Sequence, residues 1–361
     1  MASVDTDVAG PLRFRRSTES WSEQRVRQQL LAPLEERFGA SLGRGQFSPP
    51  ESYVGRRFDM GNGDFALFAW RSANPEAAGP DGPVAYWLGN TETPEALWRT
   101  DKFDFDEVPY GIARWAQREL LADLEEEDPW LAAHEHLCWF FLPVFHSKDG
   151  RESTRAFFRD HDAGFPDADR DRVLAFYESF FHTGVLDAYR DTMAGKLGTS
   201  PQVDLVRMGA SMAEFHVAKL LAESGQEFVP EVELDSGHAL DFVVGEGVRE
   251  APRSALPRAE DRLVEVTRPG PPTRRTVDTP IAALRATADA KTDDQLRAHP
   301  EAVLFVDCSS FRDDEWNAVR AERPAVAHAP AVVYRLRPNG SAEAYRHGDV
   351  PFDLGDAVRW L

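Results

Sequence analysis

Two short apolar stretches interrupted by acids, His238-Ala-Leu-Asp-Phe-Val-Val244 and Arg262-Leu-Val-Glu-Val-Thr-Arg-Pro269, decide how this 361-residue chain is read. Both have the length and the β-branched content of strands. Asp is disfavoured inside a strand, so Asp241 asks for a reason, and Glu265 poses the same question again. Glu265 and Thr267 are two apart and share one face of their strand. A third acid precedes them. On the helical stretch Pro201–Ser224, Glu214 falls in a stripe with Val203, Ala210, Val217, Ala218 and Leu221, with only Arg207 as polar company. A carboxylate on an apolar face needs a partner such as Arg207, or a metal.

Outward from these stretches, the pattern downstream of residue 201 predicts a helix over 201–224, strands over 228–234, 239–244 and 263–267, and a helix over 281–298. A strand over 302–307, a helix over 313–321 and a strand over 331–336 follow, and Arg337-Pro-Asn-Gly340 turns into a last strand over 342–346. This is an α/β plan, a sheet covered by helices. Upstream, residues 1–20 read as a loose polar arm, and 22–38 as a helix kinked at Pro33. A hairpin joins 53–58 to 65–70 through Gly61-Asn-Gly-Asp64, and a strand covers 84–88. Helices are predicted over 110–127, 130–141, 151–159, 167–181 and 185–196. The expected organisation is an α+β, mostly helical N-terminal region over 1–200, then an α/β domain over 201–361.

The order helix, three strands, helix, strand, with an acid on the first helix and one on each of two adjacent strands, resembles the PD-(D/E)XK nuclease superfamily. The resemblance covers Pro201 to Asp307 and implies a restriction-endonuclease-like αβββαβ core. It also implies that Glu214, Asp241 and Glu265 bind one or two Mg²⁺ (or Mn²⁺) ions and act in phosphodiester hydrolysis of DNA. Hard oxygen donors suit that ion, and three converging carboxylates need a cation between them. The superfamily places a lysine two residues after the second acid, where it orients the attacking water; here Thr267 stands in its place. In some members the following helix supplies the lysine. Lys291 lies there, with Gln295 one turn further on the same face. Thr267, Lys291 and Gln295 are therefore candidates for positioning water or phosphate. The missing motif lysine favours a second expectation, a module of the same fold that has lost catalysis and binds nucleic acid or a protein partner. A third is an unrelated α/β protein whose three acids are structural.

Charge bears on the partner. There are 61 acidic against 41 basic residues, a net of −20, and the lysines are only Lys102, Lys148, Lys196, Lys219 and Lys291. Acid-rich, lysine-poor chains look like the cytoplasmic proteins of salt-accumulating archaea, where such acidity is a background rather than an argument against nucleic acid. Against that background, Arg249 to Arg275 holds seven arginines and four acids. Arg268, Arg274 and Arg275 in this window are candidate phosphate contacts. DNA is expected before RNA, and a second copy of the chain is a candidate partner. No apolar run approaches the ~18 residues of a membrane span, no secretory signal is evident, and two cysteines make neither a disulfide framework nor a zinc tetrad. A soluble cytoplasmic protein is expected. His134, His136 and Cys138 fan across ~200° of a helix and read as core rather than a zinc site. Asp101–Glu107 lacks the glycine and closing Glu of a calcium loop and reads as a solvated edge.

Overall fold

Residues 13–71, 85–89 and 108–361, apart from 148, 199, 235, 236, 238 and 294, are described by a computed structural model. The protein is mixed α/β with two sheets, and the chain divides into units 1–152 and 153–361. The acidic run 101–107 lies outside the described residues.

The first unit contains β1 (Arg13–Ser17), α1 (Glu23–Val26), α2 (Ala32–Phe38), β2 (Ser41–Gly43), β3 (Tyr53–Asp59), β4 (Phe65–Arg71), β5 (Ala85–Gly89), α3 (Tyr110–Glu127) and α4 (Glu135–Phe145). Its strands pair antiparallel in the order β1-β5-β4-β3-β2. The predicted hairpin forms with Phe58 opposite Ala66. The central strand β4 is buried from Phe65 through Trp70, which is why its sequence runs apolar without alternation. Two expectations are corrected here. Residues 13–17 are not part of a loose arm but an edge strand on β5, with Phe14 and Ser17 buried. The kink at Pro33 is taken up before it, as a π turn over Arg27–Leu31 in which the Ala32 N–H reaches Arg27 O. Proline offers no N–H to the ladder, and the wider turn absorbs the mismatch.

The second unit begins within α5 (Arg151–Asp160) and continues through α6 (Arg170–His182), α7 (Arg190–Gly195), α8 (Leu205–Glu223), β6 (Phe228–Glu233), β7 (Ala239–Val244) and β8 (Arg262–Thr267). Then come α9 (Pro280–Asp293), α10 (Gln295–Ala298), β9 (Val303–Asp307), α11 (Asp313–Glu322), β10 (Ala331–Leu336), β11 (Ala342–His347) and β12 (Arg359–Trp360). The sheet order is β12-β11-β10-β9-β8-β7-β6. Strands β6, β7 and β8 form an antiparallel meander, and β8, β9 and β10 run parallel. One apolar layer packs Leu284 and Ala288 of α9 and Trp316 and Val319 of α11 with Leu304, Val306 and Val333 of the sheet.

The division falls at residue 152 rather than at 200, because the helices before α8 pack on it. The Tyr177 hydroxyl on α6 lies 2.9 Å from His216 Nε2 on α8, and the Phe165 ring stacks on the same imidazole at 5.0 Å. No helix among the described residues is long and apolar enough to cross a membrane.

Candidate functional site

Strand register draws three acids into one row. Pairing between β7 and β8 runs from Val244↔Arg262 to Phe242↔Val264, so Asp241 and Glu265 occupy the next step, past the end of that ladder. The β6–β7 register passes from Pro230↔Phe242 to Val232↔Leu240, which places Glu231 opposite Asp241. Glu231 has a φ of 53°, a left-handed conformation rare for a side-chain-bearing residue, at a step where the register lacks a pair. β6 is the sheet edge, where such an irregularity and Pro230 are tolerated. Where β7 and β8 part, Asp241 Oδ2 accepts the Val266 N–H at 2.8 Å, which fixes the carboxylate. Glu214 comes to the same place from α8. Ligating oxygens of Glu214, Glu231 and Asp241 lie within 4.8 Å of one another.

Two of the chain's five lysines hold this cluster. Lys196, just past α7, makes ion pairs with Glu214 and Glu231, and its Nζ is 3.6 Å from Asp241 Oδ1. Lys291 on α9 pairs with Glu265 Oε1, and its Nζ also donates to Gln295 Oε1 at 3.0 Å. The Gln295 amide in turn donates to Ala239 O at 3.4 Å, which ties the lysine to the start of β7. Glu265 is 1% exposed, and its second oxygen, Oε2, is buried without a hydrogen-bond partner. Burial first, then Asp241, raise Glu265 to about 8 against the pull of Lys291. The same two causes raise Glu214, and burial raises Asp241 against Lys196. Burial would lower Lys196, but Glu214 and Asp241 outweigh it and hold the ammonium charged. Four carboxylates stand against two ammonium groups, a deficit of two positive charges when all are ionised.

The predicted site residues are therefore partly reunited. Glu214 and Asp241 meet, and Glu265 stands within their electrostatic reach on its own lysine, with Gln295 behind. Arg207 does not pair with Glu214; its guanidinium donates to Lys196 O (3.2 Å) and Leu197 O (2.6 Å) and so anchors the turn that carries Lys196. Thr267 is buried at the end of β8, and among the described residues no hydrogen bond links it to the cluster. Sequence reasoning missed Lys196 and Glu231. The scarcity of lysine was the one available signal for the first, and nothing in the strand pattern announced the second.

Two of the three arginines expected on nucleic acid are internal instead. Arg268 is buried, donates to Gly209 O and Gly164 O, and lies 3.6 Å from Asp307. Alternation along β8 turns it away from Glu265 and towards α8. Arg275 stacks over Phe311 at 4.2 Å, donates to Gly270 O and pairs with Glu315. Arg274 alone of the three is exposed. Arg268 belongs to a buried chain in which Asp307 Oδ2 lies 2.9 Å from His216 Nδ1, and Tyr177 completes the other side of the imidazole. Burial pushes His216 down despite Asp307. Burial alone would raise Asp307, yet Arg268 and His216 hold it at about 2.

Elsewhere, Cys138 and His146 are core residues bonded to Leu131 O and Leu120 O. A groove of about 1280 Å³ in the second unit, lined among others by Phe165, Phe176, Lys219, Arg335 and Arg337, includes no residue of the acidic cluster.

Fold and site define a mixed α/β protein with a half-buried cluster of acids and lysines at the end of a strand meander. The chain belongs to the family of unknown function DUF5784, which it matches over residues 9–354. No curated protein and no solved structure matches it.

Proposed function

We propose that the second unit is a divergent PD-(D/E)XK-type nuclease, with α8-β6-β7-β8-α9-β9 as its restriction-endonuclease-like core. It would hydrolyse phosphodiester bonds in DNA with Mg²⁺ or Mn²⁺ held by Glu214, Asp241 and Glu265. The observation that carries this reading is the ion pair between Lys291 and Glu265. A lysine absent from position 267 is brought to the second acid from the following helix, as happens in some members of that superfamily.

The donor set fits the ion. Carboxylate oxygens are the hard ligands Mg²⁺ prefers, Glu265 Oε2 is a buried acceptor without a partner, and one divalent ion would close the charge deficit. When bound, the ion supplies Lewis-acid polarisation of phosphate and a more acidic water. The chain's own residues do the rest. Asp241 is oriented by the Val266 N–H. Lys291, steadied by Gln295, places a positive charge beside Glu265 where a phosphate oxygen and a water would gather. Arg274, exposed on the arginine-rich loop, is the remaining candidate for a phosphate contact.

A second reading is favoured by Lys196, whose ammonium already occupies the space among three of the carboxylates: a non-catalytic module of the same fold that binds nucleic acid or a protein partner. Cleavage of single-stranded, duplex and branched DNA in molar KCl, with and without Mn²⁺ or Mg²⁺, separates the two. Metal-dependent cutting by the wild type that Asp241→Ala abolishes is the expected result. Cutting that survives Asp241→Ala refutes this site. A folded protein that binds DNA and never cuts it establishes the second reading.

A further inference from the structure

The two lysines of the cluster are placed differently, and the difference defines a role for one of them. Lys291 approaches from α9 and touches only Glu265 among the four acids. Lys196 lies among the other three, paired with Glu214 and Glu231 and 3.6 Å from Asp241. Its main chain is gripped by α8, since Lys196 O accepts from Arg207 Nη1 and from Ser211 Oγ at 2.9 Å. Its side chain hangs from that anchor on four rotatable bonds.

Size and charge both make this ammonium a competitor for a divalent ion. Ammonium–carboxylate contacts of ~2.8 Å put oxygens on opposite sides of the nitrogen ~5.6 Å apart. Mg²⁺ at ~2.1 Å would bring opposite ligands to ~4.2 Å. The oxygens of Glu214, Glu231 and Asp241 lie within 4.8 Å of one another, inside the wider of these limits. The cage that holds the ammonium thus supplies two of the proposed ion's three ligands, Glu214 and Asp241. The two cations cannot share it, because their repulsion in a buried site is several times what it is in water.

An exit is built in on the side of Glu231. The Glu231 side chain is 36% exposed, against 14% for Glu214 and 15% for Asp241. It sits on the edge strand, at the irregular step of β6. We infer that Lys196 is a resident cation that holds the acidic cluster together in the metal-free protein and is displaced outward, with Glu231, when a divalent ion binds to Glu214, Asp241 and Glu265. The inference rests on the metal-site reading above and adds a regulatory consequence. The site folds without metal, and its affinity for metal is set by how easily the lysine leaves.

The test uses the full chain in molar KCl and reads binding, not cleavage. Lysines of the wild type are acetylated with an activated ester and quantified site by site by mass spectrometry, with EDTA or saturating MnCl₂; calorimetry measures Mn²⁺ binding in parallel. Lys196 is expected to react at least fivefold faster with Mn²⁺, while Lys219, paired with Glu223 away from the cluster, stays constant. Lys196→Met is expected to bind Mn²⁺ at least tenfold more tightly than the wild type. Wild type that binds Mn²⁺ with Lys196 still protected overturns the displacement and leaves the metal site standing. No Mn²⁺ binding by wild type or Lys196→Met overturns the metal site, and the displacement with it. The labelling arm needs no variant, so a substitution that fails to fold does not shield the inference.

Discussion

At the scale of single residues, the charge at Lys291 and the amide at Gln295 act as a pair, and their variants should separate chemistry from binding. Lys291→Met removes a positive charge next to Glu265 without removing a carboxylate. If that charge serves the reaction, cutting should fall by roughly 10²–10⁴-fold, the usual range for a positioned proton-transfer or electrostatic group. Mn²⁺ binding by calorimetry should change little. Gln295→Ala leaves the lysine but removes its lateral tie, so a smaller loss of about tenfold is expected, read as kcat with KM unchanged. Equal losses of cutting and of Mn²⁺ affinity in Lys291→Met would mean that the lysine only stabilises the cluster. Thr267 marks the contrast: its hydroxyl is uncharged and lies outside the bonded network, so Thr267→Val should leave metal binding as it was.

At the scale of elements, two joints carry stability. The first pins α8 to β9 through His216 and Asp307, with Arg268 reaching across from the end of β8. Asp307 is held at about 2 against an ordinary 3.8, so its contribution is present above pH 4 and is lost as pH falls through 2. That shift corresponds to about 2 kcal/mol. His216 is depressed below its ordinary 6.5, so the folded state refuses a proton that the unfolded chain accepts, and stability also falls as pH drops below that value. Urea midpoints measured from pH 8 to pH 2 should carry both losses as steps, superposed on the opposite trend from Glu265, whose raised value lets the folded state gain stability as pH falls from 8 towards 4.5. In Asp307→Asn the lower step should vanish and the midpoint at pH 7 should already be lower. The second joint is β1, whose buried Phe14 covers part of the first sheet. Phe14→Ala should cost ~3–5 kcal/mol and loosen β1 from β5, with aggregation as the visible consequence. What the sequence disclosed at this scale follows the same physics. The meander β6-β7-β8 and the helices around it were legible because apolar period and turn residues are local signals. Lys196 and Glu231 were not, because cross-strand register and the end of a helix well upstream bring them to Asp241. β1 was hidden by its arginines, and the internal role of Arg268 by the fact that an arginine-rich window looks the same whether its side chains face solvent or a buried Asp307.

At the scale of the whole chain, a net charge of −20 sets two opposing dependences on salt. Like charges on the surface repel over a distance that shrinks from ~10 Å at 0.1 M to ~3 Å at 1 M, so added KCl should stabilise the fold until screening is complete. Each kcal/mol gained raises a melting midpoint by about 2–4 °C for units of this size, and the midpoint should climb from 0.1 to 1 M KCl and then level. Phosphate contacts respond in the opposite sense, since each one made costs affinity in proportion to the logarithm of salt. With Arg268 and Arg275 turned inward, Arg274 is the exposed one of the three nominated arginines, and Arg249, Arg253 and Arg262 are the other exposed ones of that window. DNA cleavage at fixed Mn²⁺ should therefore rise with KCl while the folded fraction rises, then decline on a shallow slope rather than collapse. Arg274→Ala should leave the rising limb in place, lower the falling limb at every salt concentration, and reduce the log–log binding slope by about one unit. A binding slope steeper than about four in the wild type would mean a basic surface beyond Arg274 carries the nucleic acid. A falling limb untouched by Arg274→Ala would remove this residue from the interface.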